Sequence, residues 1–243
     1  MIRPAAQLAA ALLLAMAALC GADDAKKVDD DKPDVAPALL AELKELDERL
    51  AKIQDMQADF TQAKHVSLLK RPLISQGEVL VKGEQMRWDV SKPSPSTTLT
   101  SAKEIRIHYP QQKIVEVYAI DQRLSSVIAS PLPRLDVLLR NFTIERIVPK
   151  QQTEEQSETL LHIRLTPRGE ELRKHITRVN VTIDRKQALA QRIEMIDIDG
   201  DRTEISFEGI KLNVGMKDEQ FELKLPAGTR VVRPLEAVEP KQP

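Results

Sequence analysis

The sequence predicts one domain of mainly β class: a long, mostly antiparallel sheet that curls around two helices. Three observations point there. Seven segments alternate apolar and polar residues at the two-residue period of a strand with one dry face and one wet face. The turns between several of them are short, which favours hairpins over crossover connections. Two stretches break the alternation with helical spacing, one ahead of the sheet and one in its middle, and a curled sheet that takes both on its concave face buries all three apolar surfaces.

The chain opens with Met1 to Arg3, an apolar run from Leu8 to Leu19, and Cys20-Gly21-Ala22 ahead of Asp23-Asp24. A short basic start, an apolar stretch and small residues at its end are the parts of a secretory signal peptide, residues 1–22 here, with cleavage expected near Ala22. The run is short for a membrane span. Cys20 also admits a second reading as a lipid-acceptor cysteine. Ala17 and Leu19, however, stand in the reverse of the usual order for such signals, so simple secretion is the expectation. Residues 23–37, rich in Asp and Lys with little apolar surface to bury, are expected to be a spacer, and residues 234–243 a similar tail. The domain proper is 38–233.

Within it, Leu39, Leu40, Leu43, Leu46, Leu50, Ile53 and Met56 recur at steps of three and four, predicting an amphipathic helix over Ala38–Gln57 behind Pro37. The alternating segments are Gly77–Lys82, Ile105–Tyr109, Lys113–Tyr118, Leu160–Leu165, Val179–Asp184, Arg192–Ile198 and Thr203–Phe207. Turn residues separate them at Lys82-Gly83-Glu84, Tyr109-Pro110-Gln111-Gln112, Asp184-Arg185-Lys186 and Asp199-Gly200-Asp201. Between Asp121 and Asn141 the alternation stops, and Pro131-Leu132-Pro133-Arg134 leads into a second helical segment, Leu135–Arg140.

Composition removes several classes of function. With Lys+Arg 36 against Asp+Glu 37, a formal net charge of −1, and only one Trp, two Tyr and four Phe, the chain lacks both the global charge and the stacking platforms of a nucleic-acid binder. One Cys and four scattered His supply neither a disulfide nor metal-ligand spacing, so no metal and no cofactor are expected. Asp197, Asp199 and Asp201 have the spacing of a calcium loop but no glutamate completes it, and the stretch reads as a hairpin turn. His108 and His162, on alternating strands, are expected at solvent-facing or edge positions. No nucleophile stands in a motif with a His and an acid, so no catalytic residue is named and the chain is not expected to be an enzyme.

A set of short motifs resembles the family of periplasmic carriers of outer-membrane lipoproteins. They are Ala58-Asp59-Phe60-Thr61-Gln62 after the first helix, Arg71-Pro72, Ser75-Gln76-Gly77, Met86-Arg87-Trp88-Asp89-Val90 with Pro93 and Pro95 behind it, and Ile107-His108-Tyr109-Pro110. Near the end stand Phe221 and Leu223-Lys224-Leu225-Pro226-Ala227-Gly228-Thr229. In order and spacing they cover most of residues 38–233. The resemblance implies an unclosed antiparallel β-barrel, a half-barrel with helices over its concave apolar face, and a periplasmic location. It implies a monomeric shuttle that takes the acyl chains of a lipoprotein, or a related lipid, from an inner-membrane exporter to an outer-membrane acceptor. A sensing or structural periplasmic module on the same fold is the alternative.

The implied cavity and lid residues are Leu43, Leu46, Leu50 and Ile53 from the first helix and Leu135 and Leu138 from the second. From the strands come Phe60, Leu80, Met86, Arg87 and Trp88. Each also has a plainer reading, the helix stripe as dry core and Phe60 as packing. Arg87-Trp88 is either a pair at the cavity mouth, with the Arg87 head on helix-end carbonyls, or a strand residue beside the main core aromatic. The resembling carriers place a basic residue before a Pro ahead of the Trp to tie the lid. Here Lys82-Gly83-Glu84-Gln85 stands in that place, so Lys82 and Arg87 are the candidates, and Lys82 lacks the planar fork of a guanidinium. The Leu68-Leu69-Lys70-Arg71-Pro72 stretch marks a divergent branch.

Overall fold

A computed structural model describes residues 35–101, 103–119, 134–151 and 153–234. The expected leader, Cys20, Pro131-Leu132-Pro133, most of the spacer and all but the first residue of the tail lie outside the described residues.

The helix α1 runs Pro37–Leu50 and is followed by β1 (Asp55–His65), β2 (Leu73–Lys82), β3 (Gln85–Lys92), β4 (Ser96–Thr100), β5 (Glu104–Tyr109) and β6 (Ile114–Ala119). Then come α2 (Leu135–Asn141), β7 (Phe142–Arg146), α3 (Glu154–Thr159), β8 (Leu160–Pro167), α4 (Glu170–Arg173), β9 (Ile176–Asp184), β10 (Leu189–Asp197), β11 (Arg202–Leu212) and β12 (Arg230–Val232). The twelve strands form one sheet in the order β12-β6-β5-β4-β3-β2-β1-β11-β10-β9-β8-β7. Every described neighbour pair is antiparallel except β12 with β6. The sheet does not close, because β7 and β12 are its two edges. This is the unclosed, mainly β architecture that the alternation and the resemblance predict. No helix among the described residues is long and apolar enough to cross a membrane.

The first helix is shorter than its apolar spacing suggests. It ends at Leu50, and a turn in which Lys52 and Ile53 donate to the Arg49 and Leu50 carbonyls leads into β1 at Asp55. Ile53 and Met56 continue the three-four spacing by coincidence: Met56 begins a strand paired with both β2 and β11, whose ladders satisfy a backbone that a helix would otherwise have satisfied internally. The Ala58–Gln62 motif thus lies in mid-strand. Val35, inside the expected spacer, is 5% exposed and packs under α1. Ordering therefore begins before Ala38.

One face of the sheet carries two apolar cores, which span β7 to β3. Leu39, Leu43 and Leu46 of α1 and Leu135 and Leu138 of α2 cover Leu161, Ile163, Val181 and Ile183 in the first. Met56, Phe60, Val79, Met86, Trp88 and Phe207 make the second. Leu50 and Ile193 pack against both. Trp88 stacks on Phe60 with centroids 4.1 Å apart and meets Phe207 edge-on at 6.1 Å. Gly77 is required there. It pairs opposite Phe60 at a bulge between β2 and β3, and a Cβ on it would lie 1.8 Å from the Asp89 carbonyl oxygen and 2.9 Å from the Phe60 ring.

The outer face is divided. Across β7 to β11 it is a wet ladder in which Arg164 meets Glu145 and Asn180, Asn180 meets Glu194, and Arg202 joins Glu194 to Glu204. Across β2 to β6 a C-terminal strap covers it, running from Asn213 to the pairing of β12 beside β6. Its start is fixed by the buried Asp55 carboxylate, which accepts the backbone N–H groups of Val214, Gly215 and Met216 at 2.7, 3.0 and 3.0 Å. Burial would raise the pKa of this carboxyl, but the three donors, joined by the charge of Lys82, hold it below the ordinary value.

Candidate functional site

Where α1 and α2 lie on the sheet, Leu43, Leu46, Leu50, Leu135, Leu138, Ile163 and Ile183 enclose a small cavity of about 20 Å³ with Asp47 at its edge. Its lining is aliphatic apart from that carboxylate. A volume near that of one water molecule means that the helices here are seated on the sheet.

What seats them is a set of charged groups at the rim. Arg134, at the cap of α2, donates from Nε and Nη2 to the two Asp47 oxygens at 2.7 Å each, and the Leu135 N–H adds a third bond to Asp47 at 3.0 Å. This forked pair joins α1 to α2 directly. Arg134's hydrogen bonds are the main cause that holds the Asp47 carboxyl below its usual range; burial opposes them, and the Leu135 N–H and the Arg134 charge add to them. Glu42 on α1 accepts from Arg185 at 2.6 Å and is also paired with Arg146. Arg185 reaches on to the carbonyls of Ser157 and Leu160, while Arg49 donates to the carbonyls of Arg185, at 2.7 Å, and of Lys186. Near its C-terminal end the α1 helix is therefore tied to α2 through Asp47 and to the β9–β10 turn through Arg49, and at its middle Glu42 ties it to Arg185 and Arg146.

The structure gathers nine of the sequence-named residues in two groups and leaves two outside them. Leu43, Leu46, Leu50, Leu135 and Leu138 surround the small cavity, with Leu50 also facing the second core. Ile53, Phe60, Met86 and Trp88 belong to that second core. Leu80 and Arg87 do not line either. Val79, opposite Trp88, and Val81, opposite Met86, face inward, so Leu80, opposite Arg87, projects to the outer face, where it is buried. The two-residue period places them there.

Nor do Lys82 and Arg87 tie the helices. Lys82 Nζ bonds Asp218 at 2.6 Å. Arg87 bonds Asp89 at 2.6 Å and the carbonyls of Gln220 and Glu222 at 2.9 and 3.3 Å. These carbonyls belong to the short 3₁₀ turn Asp218–Phe221 of the strap and its cap, not to a helix over the inner face. The latch residues that sequence reading missed, Glu42, Asp47, Arg134, Arg146 and Arg185, carry no motif. Charges on the polar face of a helix and in a turn read as solvated positions until their partners are known.

Of the two strand histidines, His108 is withdrawn from solvent, contrary to expectation, whereas His162 is half-buried on the outer face. His108 is buried on the strap-covered face, which lowers its pKa, and its Nε2 has no partner among the described residues. His162 Nδ1 is 3.0 Å from the Thr182 hydroxyl; burial, with the Arg185 charge, lowers its pKa. The Asp197–Asp201 stretch is the expected hairpin turn, in which Asp197 Oδ1 accepts the N–H groups of Asp199 and Asp201. Among the described residues no three His, Cys, Asp or Glu side chains gather as metal ligands. On the inner face, Trp88 Nε1 and Thr100 Oγ1 are buried without partners among the described residues. A larger hollow of about 730 Å³ between the strap and the β2–β3 and β4–β5 turns is lined by Met86, Leu99 and Phe221 as well as by the charged Lys82, Lys103, Arg106 and Asp218.

An open antiparallel sheet with an aliphatic face under latched helices defines a fold built to hold apolar surface away from water. The chain matches the model of the family described as outer membrane lipoprotein carrier protein LolA over residues 51–224, and it belongs to that family. The match begins just after α1, so the helix bearing Glu42 and Asp47 lies outside it. An outer-membrane lipoprotein carrier protein of Azotobacter vinelandii is 26% identical over 159 residues, covering 65% of this chain and 71% of the relative. One of Pseudomonas putida is 24% identical over 198 residues, 79% of this chain and 88% of the relative. Among solved structures, an uncharacterized conserved protein from Thermus thermophilus aligns with a TM-score of 0.51 at 12% identity, over 81% of this chain and 99% of that one, a likeness of fold.

Proposed function

We propose that the protein is a non-enzymatic periplasmic carrier that holds the acyl chains of a lipoprotein, or a related lipid, between α1, α2 and the inner face of the sheet. In this role it passes its client from an inner-membrane exporter to an outer-membrane acceptor, works as a monomer, and loses residues 1–22 on export. The observation that supports this reading most directly is the aliphatic seam under two short helices that are held at their rim by ion pairs. Family membership supports it as well.

The energetics suit an exchange. Each methylene withdrawn from water contributes about 0.8 kcal/mol, so ten contribute about 8 kcal/mol. An acyl chain entering the seam replaces Ile163 and Ile183 against the leucines of α1 and α2, so the lid's own apolar surface stays covered. What is lost is mainly the rim pairing, and partly exposed ion pairs contribute about 1 kcal/mol or less each. Hydrocarbon therefore outweighs the latch. Release follows when an acceptor offers the chains a better apolar site, with no chemical step.

The test is to incubate the purified protein with membranes that hold an acylated client. Soluble one-to-one complexes that later give up the client to acceptor membranes are expected. Uptake without onward transfer would turn the reading to a lipid-sensing module, and failure to extract any client or lipid would overturn it.

A further inference from the structure

The β1–β2 hairpin ends in Val66-Ser67-Leu68-Leu69-Lys70-Arg71. The Leu69 N–H donates to the Val66 carbonyl at 2.9 Å, closing a turn with Leu68 at its corner. Leu68 is 91% exposed and Leu69 48%. The β10–β11 tip stands beside it, because the Ser67 N–H donates to the Asp201 carboxylate at 3.0 Å, and this second tip presents Ile198, 58% exposed. An isolated exposed leucine is ordinary. Three large aliphatic side chains on two hairpins joined by a hydrogen bond are not a scatter.

The charges around them have a direction. Lys70 and Arg71 follow the leucines, are exposed, and make no ion pair among the described residues. Of the neighbouring carboxylates, Asp197 accepts the N–H groups of Asp199 and Asp201, and Asp201 accepts that of Ser67, so both are engaged within the tips; Asp199 is exposed. Aliphatic groups at an apex with cations one or two residues behind fit an interface in which the apolar groups enter the acyl boundary while Lys and Arg remain at phosphate level. The tips lie at the far end of β10 from the β9–β10 turn that anchors α1, so the latch and this edge are separate features.

We propose that the paired tips, Leu68, Leu69 and Ile198 with Lys70 and Arg71, are a docking site for a lipid bilayer bearing anionic headgroups. The site is independent of what the inner seam holds, and its test uses protein free of client. Flotation with vesicles of phosphatidylcholine containing phosphatidylglycerol is expected to carry the wild-type protein, and phosphatidylcholine alone much less. The double change Leu68→Ser and Leu69→Ser is expected to lower partitioning about tenfold or more, and Lys70→Gln with Arg71→Gln to remove the preference for the anionic vesicles. All variants retain the same N-terminus, so binding by that segment is common to them. Fluorescence supplies the second measurement: Leu68→Trp is expected to shift its emission to the blue when vesicles are added. Failure of the wild type to float, equal flotation of wild type and the leucine variant, an unshifted Leu68→Trp, or binding only to membranes that contain protein would each overturn the proposal.

Discussion

Asp47 illustrates how much one side chain does in this fold. Three hydrogen bonds from Arg134 and the Leu135 N–H converge on it and join the two helices over the inner face. Its pKa is lowered from 3.8. A carboxyl whose folded pKa lies below the unfolded one contributes stability above the unfolded value and loses it as pH falls through the folded one. The latch is therefore intact at neutral pH and fails in acid, below about 3.8. Asp47→Asn is expected to lower stability by about 1 kcal/mol at neutral pH, a modest value because Arg134 is half exposed. Denaturant midpoints measured against pH should show the gap between variant and wild type closing in acid, and amide exchange should place the neutral-pH loss in α1 and α2.

At the scale of elements, alternation identified the strands but not what lies against each face. Seven of the strands were legible because one side of each is consistently apolar. β1, β3, β4, β7 and β12 escape the pattern: β1 continues the helical spacing of α1 through Met56, and β4, Ser-Thr-Thr-Leu-Thr, has few large apolar residues although most of it is buried. Leu80 shows the same limit within a strand, since two adjacent buried residues, Val79 and Leu80, serve opposite faces. This yields a discriminating pair. Leu46→Ala and Leu80→Ala should each destabilise by about 2–5 kcal/mol as buried leucine truncations. Leu46→Ala should also alter the amount of acylated client bound at temperatures where the protein is folded, whereas Leu80→Ala, under the strap, should leave it unchanged. Melting curves beside client-extraction assays make the comparison.

For the molecule as a whole, the strap lies over part of the outer face of β2 to β6, where Leu80 and His108 are buried. It starts at the Asp55 carboxylate, is held in the middle by Lys82 and Arg87, and ends as the parallel β12. Asp55→Ala is expected to lower the melting temperature by several degrees and to open the segment 213–230 to protease. The α1 latch should stay protected, because among the described residues its hydrogen bonds and ion pairs reach α2, β7 and the β9–β10 turn and none of the strap. Limited proteolysis read by mass spectrometry checks both halves of this expectation.

Reading along the chain was enough for the class of fold, the second helix, most of the strands and their apolar faces, and the family resemblance. All of these rest on short-range periodicity or on motifs a few residues long. Which charges latch the helices, that Arg87 and Lys82 serve the strap, and that His108 is buried emerged from the folded arrangement alone. Those facts depend on partners such as Asp47 and Arg134, or Arg87 and Gln220, that stand far apart in the chain. A local pattern can say that a face is polar or apolar. It cannot say which distant segment will come to cover it.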